Sequence, residues 1–122
     1  MKKEETIQNY LEAIYIISTK QKDVRSIDVA NYLNFSRPTV SIALKELEKD
    51  DYLIFDDKSI KLTEKGIDVA MTMYERHEYI AKILMKLGVP EDIAYQDSCL
   101  VEHDISKETF EAIKKATVNM FV

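Results

Sequence analysis

Ser36-Arg37-Pro38-Thr39-Val40-Ser41-Ile42-Ala43-Leu44 decides the fold, because it holds both a helix start and the beginning of a buried stripe. Ser36 is a natural N-cap, and Pro38 falls in the first turn, where a missing amide costs little. Val40, Leu44 and Leu47 then recur at helical spacing, and Asp50-Asp51 ends the run. Upstream, Asn34-Phe35-Ser36 reads as a turn after a short helix with Ser26 as its expected cap and Ile27, Val29, Ala30 and Leu33 as its apolar residues. Before that, Ile7, Tyr10, Leu11, Ala13, Ile14 and Ile17 predict a first helix over residues 4–20. Downstream, Tyr52-Leu53-Ile54-Phe55, the polar turn Asp56-Asp57-Lys58-Ser59 and Ile60-Lys61-Leu62 predict a short β-hairpin. Helix, helix, turn, helix and hairpin is the order of a winged helix-turn-helix.

The remainder reads as helix throughout. Thr63 is placed to cap a long helix with Ile67, Ala70, Met71, Tyr74, Ile80, Ile83, Leu84 and Leu87 on its apolar side, running to about Lys86 with Gly88 as its stop. Pro90 opens another through Ile93 and Cys99 to about Glu102. Ser106 caps the last, in which Ile105 and Phe110 occupy the positions of a hydrophobic staple. The expected fold is mainly α. A winged helix-turn-helix with a two-stranded β wing spans residues 1–63, and a helical domain spans 64–122.

Composition agrees with a folded helical chain: 46% of the 122 residues are hydrophobic, 32% are charged, and only two are Gly and two Pro. No window approaches the roughly 18 apolar residues of a membrane-spanning helix, and no signal-peptide core follows Met1-Lys2-Lys3-Glu4-Glu5, so a cytoplasmic protein without a membrane partner is expected. The lone cysteine leaves no internal disulfide, and Cys99 is free to be a thiolate ligand or a small buried residue. A net charge of −5 argues against generic nucleic-acid binding, which rewards excess Lys and Arg. The average hides an asymmetry, however. Residues 20–62 are balanced, whereas beyond Leu62 seven basic residues face eleven acidic ones. A neutral front and an acidic rear suit a DNA reader joined to a cation-binding, dimerising half.

Two groups of residues carry chemistry. Cys99-Leu100-Val101-Glu102-His103 puts a thiol, a carboxylate and an imidazole at i, i+3 and i+4, so a helix would present all three on one face, as metal ligation requires. Asn9 and Glu12 offer a second donor pair in the first helix, and His77 a further imidazole in the long one. Taken singly, Glu12 and Asn9 could be solvated positions and His77 an ordinary surface residue beside Arg76 and Glu78. The second group is the start of the third helix. Ser36, Thr39 and Ser41 are small hydroxyl residues able to approach phosphate at a helix N-terminus, Arg37 adds a charge-assisted contact, and Pro38 can pack on a thymine methyl. Lys58 at the wing tip could reach backbone phosphate, while Ile42 lies off the buried stripe and is either an apolar reader or a packing residue.

With these residues the chain resembles the metal-dependent repressors typified by the diphtheria toxin repressor and the manganese transport regulator. The resemblance rests on Asn9-Tyr10-Leu11-Glu12-Ala13-Ile14-Tyr15, on Ser36 to Ser41 followed by Leu47-Glu48-Lys49-Asp50, on Leu62-Thr63-Glu64-Lys65-Gly66, on Arg76-His77-Glu78, and on Cys99 to His103. It implies a homodimer with a DNA-binding half and a dimerisation and metal-binding half, repressing metal-uptake or metal-homeostasis genes from a double-stranded operator when divalent metal is plentiful. It implies metal donors at Asn9, Glu12, His77, Cys99, Glu102 and His103, and DNA contacts at Ser36, Pro38 and Thr39.

The match mixes two types. Asn9 is a neutral oxygen donor where manganese-type members carry a carboxylate and iron-type members a Met; Cys99 is the iron-type residue, whereas Glu12 follows the manganese type. The length is that of the shorter, manganese-type members, so the SH3-like domain of the longer ones is not expected. Thiolate ligation favours softer ions, making Fe(II) the favoured metal, Mn(II) the alternative, and Co(II), Ni(II) or Zn(II) able to substitute. Ala81 and Tyr95 stand where an auxiliary site would need a Glu and a His, so a complete auxiliary site is not expected. Two other readings stay open: a metal-independent winged-helix DNA-binding or interaction protein, and a metal hydrolase using Glu102 as base. The second lacks a His-Glu-x-x-His motif or a Gly-rich phosphate loop, so neither enzymatic activity nor a small organic substrate is expected.

Overall fold

The computed structural model describes residues 3–121, in two compact units, one ending at Met71 and the other beginning at Thr72. In the first unit, α1 (Lys3–Ser18) is followed by α2 (Ser26–Leu33), α3 (Arg37–Lys49), the strands β1 (Leu53–Asp56) and β2 (Ser59–Leu62), and the start of α4 (Glu64–Lys86). α1 stops short of Lys20 because Ser18 and Thr19 turn their hydroxyls back onto the carbonyls of Tyr15 and Ile16, each at 2.6 Å, and so occupy acceptors of the last turn. α2 begins one residue earlier than the Ser26 cap would have it. Arg25 is the N-cap: its backbone N–H donates to the Asp28 carboxylate at 2.9 Å, and Gln21 Nε2 holds the same carboxylate oxygen at 3.0 Å. Asn34 closes α2 at φ 58°, a left-handed position that Asn tolerates.

Ser36 caps α3 as expected, accepting from the Thr39 N–H at 3.3 Å, with Pro38 in the first turn and Val40, Leu44 and Leu47 buried. β1 and β2 pair antiparallel from Leu53 opposite Leu62 to Asp56 opposite Ser59. The wing is thus longer than its apolar residues alone suggest, and its turn shrinks to Asp57 and Lys58, with Asp57 at φ 59°. Leu11, Ile14, Val24, Val29, Val40, Leu44 and Leu53 are all less than 2% exposed and come from α1, α2, α3, β1 and the loop before α2, making one core for the unit.

The wing is tied down at its base. The Thr63 hydroxyl donates to the Asp51 carbonyl at 2.6 Å and accepts from the Gly66 N–H at 3.2 Å, capping α4. Gly66 is required there by closeness alone: a Cβ at this position would lie 2.0 Å from the Tyr52 carbonyl oxygen. Gly66→Ala should therefore force backbone apart and destabilise the protein by about 1–3 kcal/mol, read as a lower urea midpoint. An unchanged midpoint would contradict this close packing.

In the second unit, the rest of α4 is followed by α5 (Glu91–Val101), α6 (Lys107–Thr117) and a final 3₁₀ turn, Val118–Phe121. Gly88 at φ 99° ends α4, with the Val89 N–H returning to the Leu84 carbonyl at 2.9 Å. Pro90 is the N-cap of α5, with Glu91 and Asp92 in the first turn, where the helix dipole favours acids. Ser106 caps α6 by accepting from the Thr109 N–H at 3.0 Å. Phe110 is buried beneath Tyr79, edge to face at 5.9 Å, and the Tyr79 hydroxyl donates to the Lys114 carbonyl at 3.1 Å. No described helix is long and apolar enough to cross a membrane.

Candidate metal centre

α5 buries one stripe, Ala94, Ser98 and Glu102, spaced four residues apart, and its last member is a carboxylate only 1% exposed. Glu102 is the C-cap of α5 and keeps helical backbone angles, so its side chain continues that stripe. One carboxylate oxygen, Oε2, lies 3.2 Å from His77 Nδ1 on α4, and the other, Oε1, lies 3.2 Å from His103 Nε2 in the turn after α5. Both imidazoles are largely enclosed. Cys99 Sγ lies 3.4 Å from the same His77 Nδ1, and Ser98 Oγ 3.2 Å from it.

The hydrogen bonding fixes the proton. The Ser98 hydroxyl donates to the Tyr95 carbonyl at 3.0 Å, leaving its oxygen to accept, and the Glu102 carboxylate also accepts. His77 Nδ1 is thus the donor, with three heteroatoms within 3.4 Å of a nitrogen that has one N–H to give. The hydrogen bond with Cys99, and then that with Glu102, pushes the His77 pKa up to about 10 against the opposing pull of burial. The Tyr95 ring lies 5.4 Å from the His77 ring, and the Tyr95 hydroxyl donates to Glu78 at 2.9 Å.

Imidazole, carboxylate and thiol are donor types that suit a divalent transition ion, and here His77 Nδ1 touches both the Glu102 carboxylate and the Cys99 thiol, with His103 on the other carboxylate oxygen. The crowding of acceptors around His77 Nδ1 is what a cation in place of that proton would relieve. Of the residues singled out in the sequence, His77, Cys99, Glu102 and His103 are linked pairwise within the second unit, Cys99 to His77, His77 to Glu102 and Glu102 to His103. Cys99 is exposed rather than buried, because it falls one position beyond the Ala94, Ser98 and Glu102 stripe and so sits at the margin of the packed face. Asn9 and Glu12 lie three residues apart on α1 in the first unit, Glu12 buried at 7% exposed and Asn9 half-buried. Ser98 was not singled out by the sequence reading, although its place midway between Ala94 and Glu102 on one helix face was a usable signal.

The second candidate group has the opposite character. Ser36, Arg37, Pro38, Thr39 and Ser41 are all exposed at the start of α3, and Lys58 is exposed in the turn of the wing. The Ser36 hydroxyl donates to Thr39 Oγ1 at 2.8 Å, holding both hydroxyls at the helix end. Ile42 is 66% exposed on the same side, so it does not pack against a neighbouring helix.

Comparison with known proteins bears on both groups. Residues 3–59 match the iron dependent repressor N-terminal DNA binding domain, and residues 63–119 match the iron dependent repressor metal binding and dimerisation domain. The HTH-type transcriptional regulator MntR of Geobacillus kaustophilus is 29% identical over 109 residues, 88% of this chain and 77% of that protein. An uncharacterized HTH-type transcriptional regulator of Methanocaldococcus jannaschii is 32% identical over 113 residues, 90% of each chain. The solved structure of the manganese regulator SloR superimposes with a TM-score of 0.79 at 27% identity, covering 93% of this chain and 54% of that one, so the chain spans about half the length of that relative.

The raised His77 pKa sets a pH dependence. The folded metal-free protein keeps this proton to about pH 10, while an unfolded histidine releases it near 6.5, so the stabilisation it gives is complete below pH 6.5 and lost as pH rises through 10. An ion replacing that proton shows the reverse trend, binding more tightly as pH rises. Calorimetric metal titration at pH 7.5 in two buffers of different ionisation enthalpy should report release of about one proton or more per ion. Identical heats in both buffers would contradict it.

Proposed function

The chain belongs to the iron-dependent repressor family, whose members are metal-responsive transcriptional regulators and not enzymes, and on that premise we propose that it is a cytoplasmic homodimeric repressor of metal-uptake or metal-homeostasis genes. The single observation that carries this reading is the Glu102 carboxylate, buried between the imidazoles of His77 and His103 with the Cys99 thiol beside them. In this reading residues 1–63 form the DNA-binding domain and residues 64–122 the dimerisation and metal-binding domain. His77, Cys99, Glu102 and His103 hold the ion, with Glu12, and Asn9 beside it, as further donors. A bound divalent ion supplies the positive charge that lets Glu102 and a Cys99 thiolate share one small region.

The favoured ion is Fe(II), on the strength of the thiol, with Mn(II) as the alternative; Co(II), Ni(II) and Zn(II) substitute. The oxygen donors Glu12 and Asn9, and the manganese named for SloR, favour the alternative. Ser36, Arg37, Pro38, Thr39 and Ser41 contact a double-stranded operator in the major groove, and Lys58 its backbone. Two such helices in a dimer must enter successive major grooves about 34 Å apart, so donors drawn from α1 as well as α4 and α5 bind the presentation of α3 to metal occupancy. A coupling of about 1–3 kcal/mol corresponds to roughly 5–150-fold in DNA affinity.

The test is fluorescence-anisotropy binding to DNA from the protein's own promoter, with Fe(II), Mn(II), Co(II) and Zn(II) titrated anaerobically. Metal should tighten binding within that range, and Glu102→Ala or His103→Ala should abolish the response. Binding that no ion strengthens would overturn the reading. Arg37→Ala should weaken binding to all sequences alike and lower the salt slope by about one; loss confined to one operator sequence would contradict a phosphate contact there.

A further inference from the structure

Arg76 precedes His77 on α4, and it is a buried cation, 8% exposed, that forms no ion pair among the described residues. Its partners are backbone. Nη1 donates to the Glu102 carbonyl at 3.2 Å and to the Ile105 carbonyl at 3.1 Å, and the guanidinium carbon lies 5.4 Å over the Phe110 ring. One nitrogen thereby spans the two ends of the turn that carries the side chains of Glu102 and His103. That turn begins where α5 runs out of intrahelical hydrogen bonds and its dipole is negative, so the guanidinium satisfies open carbonyls with a charge of the right sign. The Phe110 ring face gives the cation further compensation.

A turn that needed only to stop a helix would be served by a glycine or a hydroxyl, without desolvating a full charge. We propose that Arg76 is the positioning residue of the metal centre, clamping the Glu102 to Ile105 turn so that the Glu102 carboxylate and the His103 imidazole stay aimed at the donors on α4 and α5. This rests on the reading of Glu102 and His103 as metal donors. Cys99 and His77 lie on helices outside the clamped turn, so loosening the turn affects the four donors unequally.

That inequality is the test. The full-length protein, Arg76→Met, Arg76→Lys and Glu102→Ala are titrated anaerobically with Co(II) and followed by absorption, with thermal unfolding of each metal-free protein recorded in parallel. Wild type should show d–d bands together with a thiolate-to-cobalt band from Cys99. Arg76→Met should bind about 10–100-fold more weakly, with an altered d–d envelope but the thiolate band retained at saturation. Arg76→Lys keeps the charge without the planar fork and should recover part of the affinity. Wild-type affinity and band shape in Arg76→Met would overturn the proposal while leaving the metal reading intact. Absence of a Co(II) spectrum in wild type, or a Glu102→Ala titration matching wild type, would overturn the metal reading and the proposal with it. If Arg76→Met does not fold, Arg76→Lys decides: weaker Co(II) binding at an unchanged melting temperature supports the clamp, and unchanged binding overturns it.

Discussion

A carboxylate buried at the wrong end of a helix is the constraint around which the second unit is built. Glu102 is 1% exposed at the C-terminus of α5, where the dipole disfavours negative charge and desolvation adds its own cost. The surroundings answer it from three sides: the protonated His77 imidazole at one oxygen, the His103 imidazole at the other, and the Arg76 guanidinium on the carbonyl of Glu102 itself. Without metal, the proton on His77 is the adjustable part of that balance, which is why it is held so far above its ordinary range. A divalent ion is a stronger form of the same compensation, and the Cys99 thiol is placed where such an ion would also draw it in.

The first unit solves a different problem. Its core is completed by residues from every element, leaving the start of α3 with no packing duty beyond the Ser36 cap. Hydroxyls, an arginine, a proline and an exposed isoleucine are thus presented from a capped helix end, with the wing tied to α4 through Thr63 and Gly66.

What the sequence revealed follows from which interactions are local. The Ser36 cap, the Val40, Leu44 and Leu47 stripe and the Gly88 stop depend on neighbours a turn away, and all are found. The α2 cap escaped because Arg25 wins only through Asp28, which Gln21 holds from outside the helix. The Asp56 to Ser59 pair is invisible in the apolar pattern, because the ladder is made by backbone and does not need apolar side chains. Cys99 reads from the sequence as either a thiolate ligand or a small buried residue; it is exposed, because which stripe of α5 is buried depends on how the helix packs, and that stripe runs through Ser98. Arg76 carries no signal of its own in the sequence, because its partners are main-chain carbonyls 26 and 29 residues on, which no pattern of side-chain types reveals.

The most direct measurement of the central claim is X-ray absorption at the metal edge of the Fe(II)-loaded protein, with Cys99→Ser and His103→Ala in parallel. One sulfur and two imidazole ligands in the first shell are predicted, with the sulfur lost in Cys99→Ser and one imidazole lost in His103→Ala. A first shell of oxygen alone, or one that neither substitution alters, would contradict a metal centre built on Glu102.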